Sequence, residues 1–175
     1  MQVYREAVRL YASSDLQVLS TVLTWILKSF KGILLRMTDR THLVAPFLWA
    51  VVPLVPNTSV SLDEDLERSR VDAPSHFDFV LRRGTKRTGV LVVKDEMFRN
   101  SLVRAFLGCE IIADIEYCHE VHAVVTDGQT WVFIRSLDEK ILYDEINVLT
   151  FCDGAPDTTM LHQVVGKRQS MLMAE

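Results

Sequence analysis

"HFDFVLRRGTKRTGVLVVKDE" (His76–Glu96) contains two β-type runs, His76–Arg82 and Thr88–Lys94, joined by a basic turn that includes a glycine. Aromatic and β-branched residues fill both runs and turn chemistry separates them, which is the signature of a hairpin. Alternation along the second run puts Val90, Val92 and Lys94 on one face and Leu91, Val93 and Asp95 on the other. Asp78 sits on the first run, and Lys94, Asp95 and Glu96 close the second.

Working outward from this hairpin, the pattern downstream turns helical. From Glu96 to about Glu116, an apolar stripe of Phe98, Leu102, Val103, Phe106, Leu107, Ile111, Ile112 and Ile115 recurs with polar residues between. "VHAVVTDGQTWVFIRSL" (Val121–Leu137) then predicts strand, Asp127-Gly128 turn, strand. A short strand follows at Lys140–Glu145. Beyond Thr150 the periodicity fades into a turn-rich loop, a weak helix over Thr159–Leu172 and a tail without expected order.

Upstream, Asn57–Ser75 is polar and charge-rich, which predicts a long loop with a helical turn at Asp63–Arg68. His42–Pro56 is apolar and cut by Pro46, Pro53 and Pro56, which cannot donate to a ladder, so an edge or opening strand is expected near Phe47–Val52. From Tyr4 to Leu35 apolar residues recur at three- and four-residue steps, predicting one long helix or two, with Ser13 or Ser14 as an N-cap at the break. The summed order describes an α/β fold with a mixed β-sheet flanked by helices. It divides into an N-terminal helical segment (1–40) packed on the core, an α/β core (41–150) and a C-terminal extension (151–175).

Composition narrows the setting. A chain of 175 residues buries roughly 70% of the surface its unfolded form exposes, enough for a core without staples. The 49% hydrophobic and 24% charged content is that of an ordered globular protein. A net charge of −4 opposes whole-surface attraction to a polyphosphate and leaves only local basic patches for it. Three widely spaced cysteines, Cys109, Cys118 and Cys152, make no disulfide framework and fit a reducing, intracellular compartment. The apolar run Leu16–Phe30 is interrupted by Ser20, Thr21, Thr24 and Lys28, too short for a membrane span and too far in for a signal peptide, so neither membrane nor secretion is expected.

Four cations in six residues, Arg82, Arg83, Lys86 and Arg87, gather at the hairpin tip, where they suit phosphate contacts; the competing reading is a solvated turn. "CHEVH" (Cys118–His122) offers a cysteine and two histidines without a second ligand pair, so zinc is not expected; His122 begins a strand and His119 faces solvent. Trp131 and Phe133 alternate on their strand and are expected in the core. Asp127-Gly128 is expected to act as a turn device. No glycine-rich phosphate loop, nucleophile elbow or dinucleotide fingerprint is present.

The acid in "FDFVL", the apolar run "GVLVV" ending in charge, the following helix and "HAVVTDGQTWVFI" together resemble the PD-(D/E)XK restriction-endonuclease-like superfamily. The likeness extends to the nuclease-like domains of Crinkler-type and retrotransposon-hot-spot-type effector proteins, in which a Val-Thr-(Asp/Asn)-Gly turn precedes a Trp-x-Phe strand. It spans roughly Phe47–Tyr143, and its specificity lies in the order of elements more than in any single motif. The resemblance implies a restriction-endonuclease-like core, a Mg²⁺-dependent phosphodiesterase (endonuclease) acting on nucleic acid, and a site of Asp78, Lys94 and Glu96 with Asp78, Glu96 and Asp95 as metal ligands. Two carboxylates on neighbouring strands hold such an ion, which acidifies a bound water, and a nearby lysine orients that water. Some members supply a further acid from the first helix, where Glu6 stands here.

The chain departs from the family pattern at the third strand. Where the pattern has Glu-x-Lys, this sequence has Lys94-Asp95-Glu96, with the charges exchanged. Two readings stay open: a rearranged working site, and a degenerate one on a preserved scaffold that contacts DNA or a protein partner without cutting. The effector likeness also implies action inside another organism's cell, including its nucleus.

Overall fold

The computed structural model describes residues 2–4, 13–30, 37–66, 76–94, 98–138, 140–144 and 147–173. Its strands are β1 (Gln2–Tyr4), β2 (Thr58–Asp65), β3 (His76–Arg83), β4 (Lys86–Val93), β5 (Glu120–Thr126), β6 (Thr130–Leu137), β7 (Lys140–Asp144), β8 (Asn147–Val148), β9 (Phe151–Cys152) and β10 (Ala155–Pro156). Its helices are α1 (Ser13–Ser29), α2 (Met37–Val51), α3 (Phe98–Glu116) and α4 (Thr158–Met173). One mixed sheet runs in the order β1-β7-β6-β5-β4-β3-β2, with β8 added beside β6, while β9 and β10 form a separate ribbon. The expected α/β class and the hairpins at 76–93 and 120–137 are present.

Strand direction positions everything that follows. β2, β3 and β4 form an antiparallel meander, α3 crosses over, and β5 returns parallel to β4 with Val93 opposite Thr126. A parallel return needs a long crossover, and the amphipathic stripe of α3 supplies it. Alternation then splits the core in two. Val90, Val92, Ala123, Val125, Val132 and Ile134 meet α3 on one face. Leu91, Val93, Val124, Trp131 and Phe133 meet α1, α2 and α4 on the other. Trp131 is fully buried, with its ring centroid 4.7 Å from that of Phe47, so both expected core aromatics lie in the core.

Helix α3 approaches the sheet closely at Gly108, where an added Cβ would lie 2.7 Å from Val90 and 2.8 Å from Phe77. Helix α4 is buried from Val164 through Arg168 and carries Lys167 into the interior. There the Lys167 ammonium donates to Asp144 at 2.5 Å and to Asn147 at 2.8 Å, tying the helix to the far side of the sheet. The helix expected over Thr159–Leu172 is therefore present as α4, and it is built into the core. Among the described residues, no helix is long and apolar enough to cross a membrane.

Three expectations are corrected. Phe47–Val52 is not a strand: Phe47–Val51 finish α2, which continues through Pro46, and Val52 opens a short 3-10 turn. Leu43–Leu48 are buried without interruption, and a continuous apolar run carries no period that separates helix from strand. Asn57–Ser75 is not a loop throughout, because Thr58–Asp65 form the edge strand β2, in which Asp63 takes a positive φ of 47°; residues 67–75, with Glu67 and Arg68 of the expected helical turn, lie outside the described residues. The polarity of β2 follows from its edge position, where charged side chains face solvent and discourage further pairing. Gln2–Tyr4 pair with β7 instead of starting a helix, while α1 begins at Ser13.

Candidate functional site

β4 and β5 run parallel, so their carboxyl ends share one edge, and antiparallel β3 brings its first residues to that edge as well. Three charged side chains meet there because of topology. Asp78 comes from β3, Lys94 from the residue after β4 and Asp127 from the residue after β5. Crevices beyond the carboxyl ends of parallel strands are where α/β sheets hold ligands.

Asp78 sits where the strands diverge. Phe77 belongs to the α3 side of the core and Phe79 to the opposite side, although strict alternation would give them one face. The break falls on Asp78, whose Oδ2 accepts the Val93 amide at 3.0 Å and so continues the ladder with a side chain. The same oxygen lies 3.6 Å from the Arg104 guanidinium of α3, which also donates to the His76 carbonyl at 3.0 Å.

Lys94 continues the β4–β5 ladder by donating its amide to the Thr126 carbonyl at 2.6 Å. Its ammonium donates to Asp127 Oδ2 at 3.2 Å and stands 5.5 Å over the centre of the Phe98 ring. Arg40, from α2, donates to the Lys94 carbonyl at 2.8 Å. Asp127 is occupied on both oxygens: Oδ1 accepts the Gln129 and Thr130 amides at 3.0 and 2.6 Å and closes the turn. Burial alone would raise the Asp127 carboxyl, but the Thr130 and Gln129 amides and Lys94 hold it below the ordinary aspartate range.

Asp78 and Lys94 are thus brought to one edge, the first bonded to the amide of the residue preceding the second. Glu96 and Asp95, the remaining members of the expected set, lie outside the described residues, as does Glu6. Among the described residues no group of three His, Cys, Asp or Glu side chains is placed to hold a metal ion. Residue patterns alone missed Arg40, Arg104 and the second role of Asp127. Asp127 becomes a neighbour of Lys94 only because β4 and β5 are parallel, which sets the residues that end them side by side.

The basic tip is largely absorbed by the fold. Arg82 donates to Ser61 Oγ at 3.0 Å and to Glu64 Oε1 at 2.5 Å. Arg87 donates to the same Glu64 oxygen at 2.9 Å and to Glu116 Oε1 at 3.2 Å. Burial pushes the Glu64 carboxyl up, and bonds from Arg82, Arg87 and Ser61 outweigh it and bring it below the usual range. Lys86 is exposed and Arg83 half-buried. Nearby, Glu120 lies 3.1 Å from His122 and 2.6 Å from Arg135. His122 first, then Arg135 against the cost of burial, lower its carboxyl to about 2. His122 is on strand β5 and His119 is exposed, as expected.

No family model matches the chain. It is similar to Crinkler effector protein 5 of Phytophthora infestans, with 26% identity over 171 residues, covering 97% of this chain and 49% of that protein. The chain spans about half the length of the curated relative it matches. That likeness, distant in identity but running through the whole fold just described, supports an effector-type relationship for this chain.

Proposed function

We propose that this chain is an effector-type module on a restriction-endonuclease-like scaffold, directed at nucleic acid and binding it without cutting. The observation that carries this reading is the commitment of the charges at the carboxyl edge. The Lys94 ammonium is paired with Asp127, and Asp78 accepts a backbone amide beside a guanidinium. In a working PD-(D/E)XK site the acids would face a metal and the lysine a water. Here an ammonium and a guanidinium occupy the surroundings of the two described carboxylates and supply the positive charge a metal would. Lys86, exposed at the tip, can contact phosphate, which favours weak, salt-sensitive binding.

The rival is a working nuclease, favoured by the convergence of Asp78, Lys94 and Asp127 at one edge. A plasmid-cleavage assay with Mg²⁺ or Mn²⁺, run beside a fluorescence-anisotropy titration on labelled DNA and RNA, tests both. The expected result is no cleavage, with binding at low salt that Lys86→Glu weakens about tenfold. Cleavage that disappears in Asp78→Ala establishes the nuclease instead. Absence of both cleavage and binding removes nucleic acid and leaves a module that binds a protein.

A further inference from the structure

A pocket of about 200 Å³ opens behind the hairpin tip, at the end of β4 and β5 opposite to Asp78, Lys94 and Asp127. The first residues of β4 and β5, the end of α3 and the last turn of α4 wall it. His122 lines this pocket and is 6% exposed. Alternation puts the imidazole on the face of Val124, which meets α4, and its partner across the ladder, Gly89, has no side chain to cover it. Glu120 Oε1 lies 3.1 Å from Nε2, and Nδ1 has no hydrogen-bond partner among the described residues. Buried polar atoms are nearly always bonded, so a ring nitrogen left open beside a cavity points to a ligand.

Charge and size select that ligand. The wall carries three cations, Arg83, Lys86 and Arg87, against two carboxylates, Glu116 and Glu120. Both carboxylates are held by arginines, Glu116 by Arg87 at 3.2 Å and Glu120 by Arg135 at 2.6 Å, so the wall does not favour a metal ion. It favours an anion, and Lys86 stands exposed to meet one. Pockets for drug-sized molecules start at ~300 Å³, so this anion is small. The anion must also satisfy Nδ1. A phosphate group does so in either protonation state, because its O–H donates to the neutral ring and its oxygen accepts from the protonated one. We infer that the pocket holds a phosphate group, as a small phosphate monoester or as the phosphorylated end of a nucleic-acid strand, with His122 Nδ1 and Lys86 as its partners. The buried imidazole, not the run of cations, locates this site. The inference does not rest on the nucleic-acid reading, because inorganic phosphate alone tests it.

Titration of the ¹⁵N-labelled full chain with inorganic phosphate, at ionic strength held constant with sodium chloride, is the test. The His122 ring nitrogens and the Thr88 and Gly89 amides should shift in a saturable way at about millimolar phosphate. Lys86→Ala, at an exposed position that folding tolerates, should raise the dissociation constant about fivefold. His122→Gln should abolish the saturation, read on the two amides with circular dichroism as the check on folding; should that variant not fold, Lys86→Ala decides alone. Phosphate that moves these signals no further than chloride overturns the inference, as does a Lys86→Ala protein that binds as tightly as the natural one. Competition then separates the two sources. A 5′-phosphorylated oligonucleotide that competes better than glycerol phosphate, with its unphosphorylated twin inert, assigns the pocket to a strand end, and one that competes no better assigns it to a free ester. An unphosphorylated twin that competes equally well overturns the inference.

Discussion

The two ends of the β4–β5 pair are both rich in charge and use it differently. At the tip, Glu64 binds Arg82 and Arg87 on one oxygen, Arg87 reaches on to Glu116, and Glu120 meets both His122 and Arg135. At the carboxyl edge, Lys94 and Asp127 make a single pair, and Asp78 bonds one amide beside Arg104. The difference teaches that a run of cations in a sequence does not locate a binding surface. Arginines saturated by internal carboxylates hold strands together, whereas the Lys94–Asp127 pair, of similar exposure but without a network around it, contributes less to folding and is where chemistry or its remnant can reside.

Substitutions can break this contrast. Glu64→Ala leaves two partly buried guanidiniums without their shared carboxylate and should cost about 3 kcal/mol in urea unfolding. A loss below about 1 kcal/mol would make the tip an ordinary solvated turn. Acid probes the same end. Glu120 has a carboxyl lowered from 4.5 to about 2 in the fold, so its contribution is complete above pH 4.5 and is lost as the pH falls through about 2. Glu120→Gln should therefore flatten the loss of stability over that window, measured by thermal melts at stepped pH. Asp127→Ala removes the turn acceptor and the Lys94 partner together and should cost about 1–2 kcal/mol. Asp127→Asn keeps an oxygen for the two turn amides, loses only the ion pair, and should cost about 0.5 kcal/mol. If Asp127→Asn instead destabilises as much as Glu64→Ala, the two ends do not differ and the contrast fails.

Much of the sheet was legible because its periods were clean. The alternation in Thr88–Lys94, the stripe of α3 and the Asp127-Gly128 turn each carry one reading, and each stands in the structure. Helix α2 was not legible, because six consecutive buried residues and an internal proline imitate a broken strand. Strand β2 was hidden for the opposite reason: as an edge with polar side chains outward it looks like loop, and its one inward-turned acid, Glu64, shows its role only when Arg82 and Arg87 are seen beside it. At the candidate site, Asp78 and Lys94 could be read from the hairpin. Asp127 could not, because its neighbourhood to Lys94 depends on the parallel return of β5 across α3, a contact between residues 33 apart.

The central claim is that protein cations, rather than a metal ion, balance the carboxylates at the carboxyl edge. Titration of the ¹⁵N-labelled protein with Mn²⁺ tests it most directly, because a bound paramagnetic ion erases the amide signals around it. The account predicts that the amides of Asp78, Lys94, Asp127 and Gly128 keep their intensity at equimolar Mn²⁺. Selective loss of those signals at equimolar ion, reversed in Asp78→Ala, would contradict it.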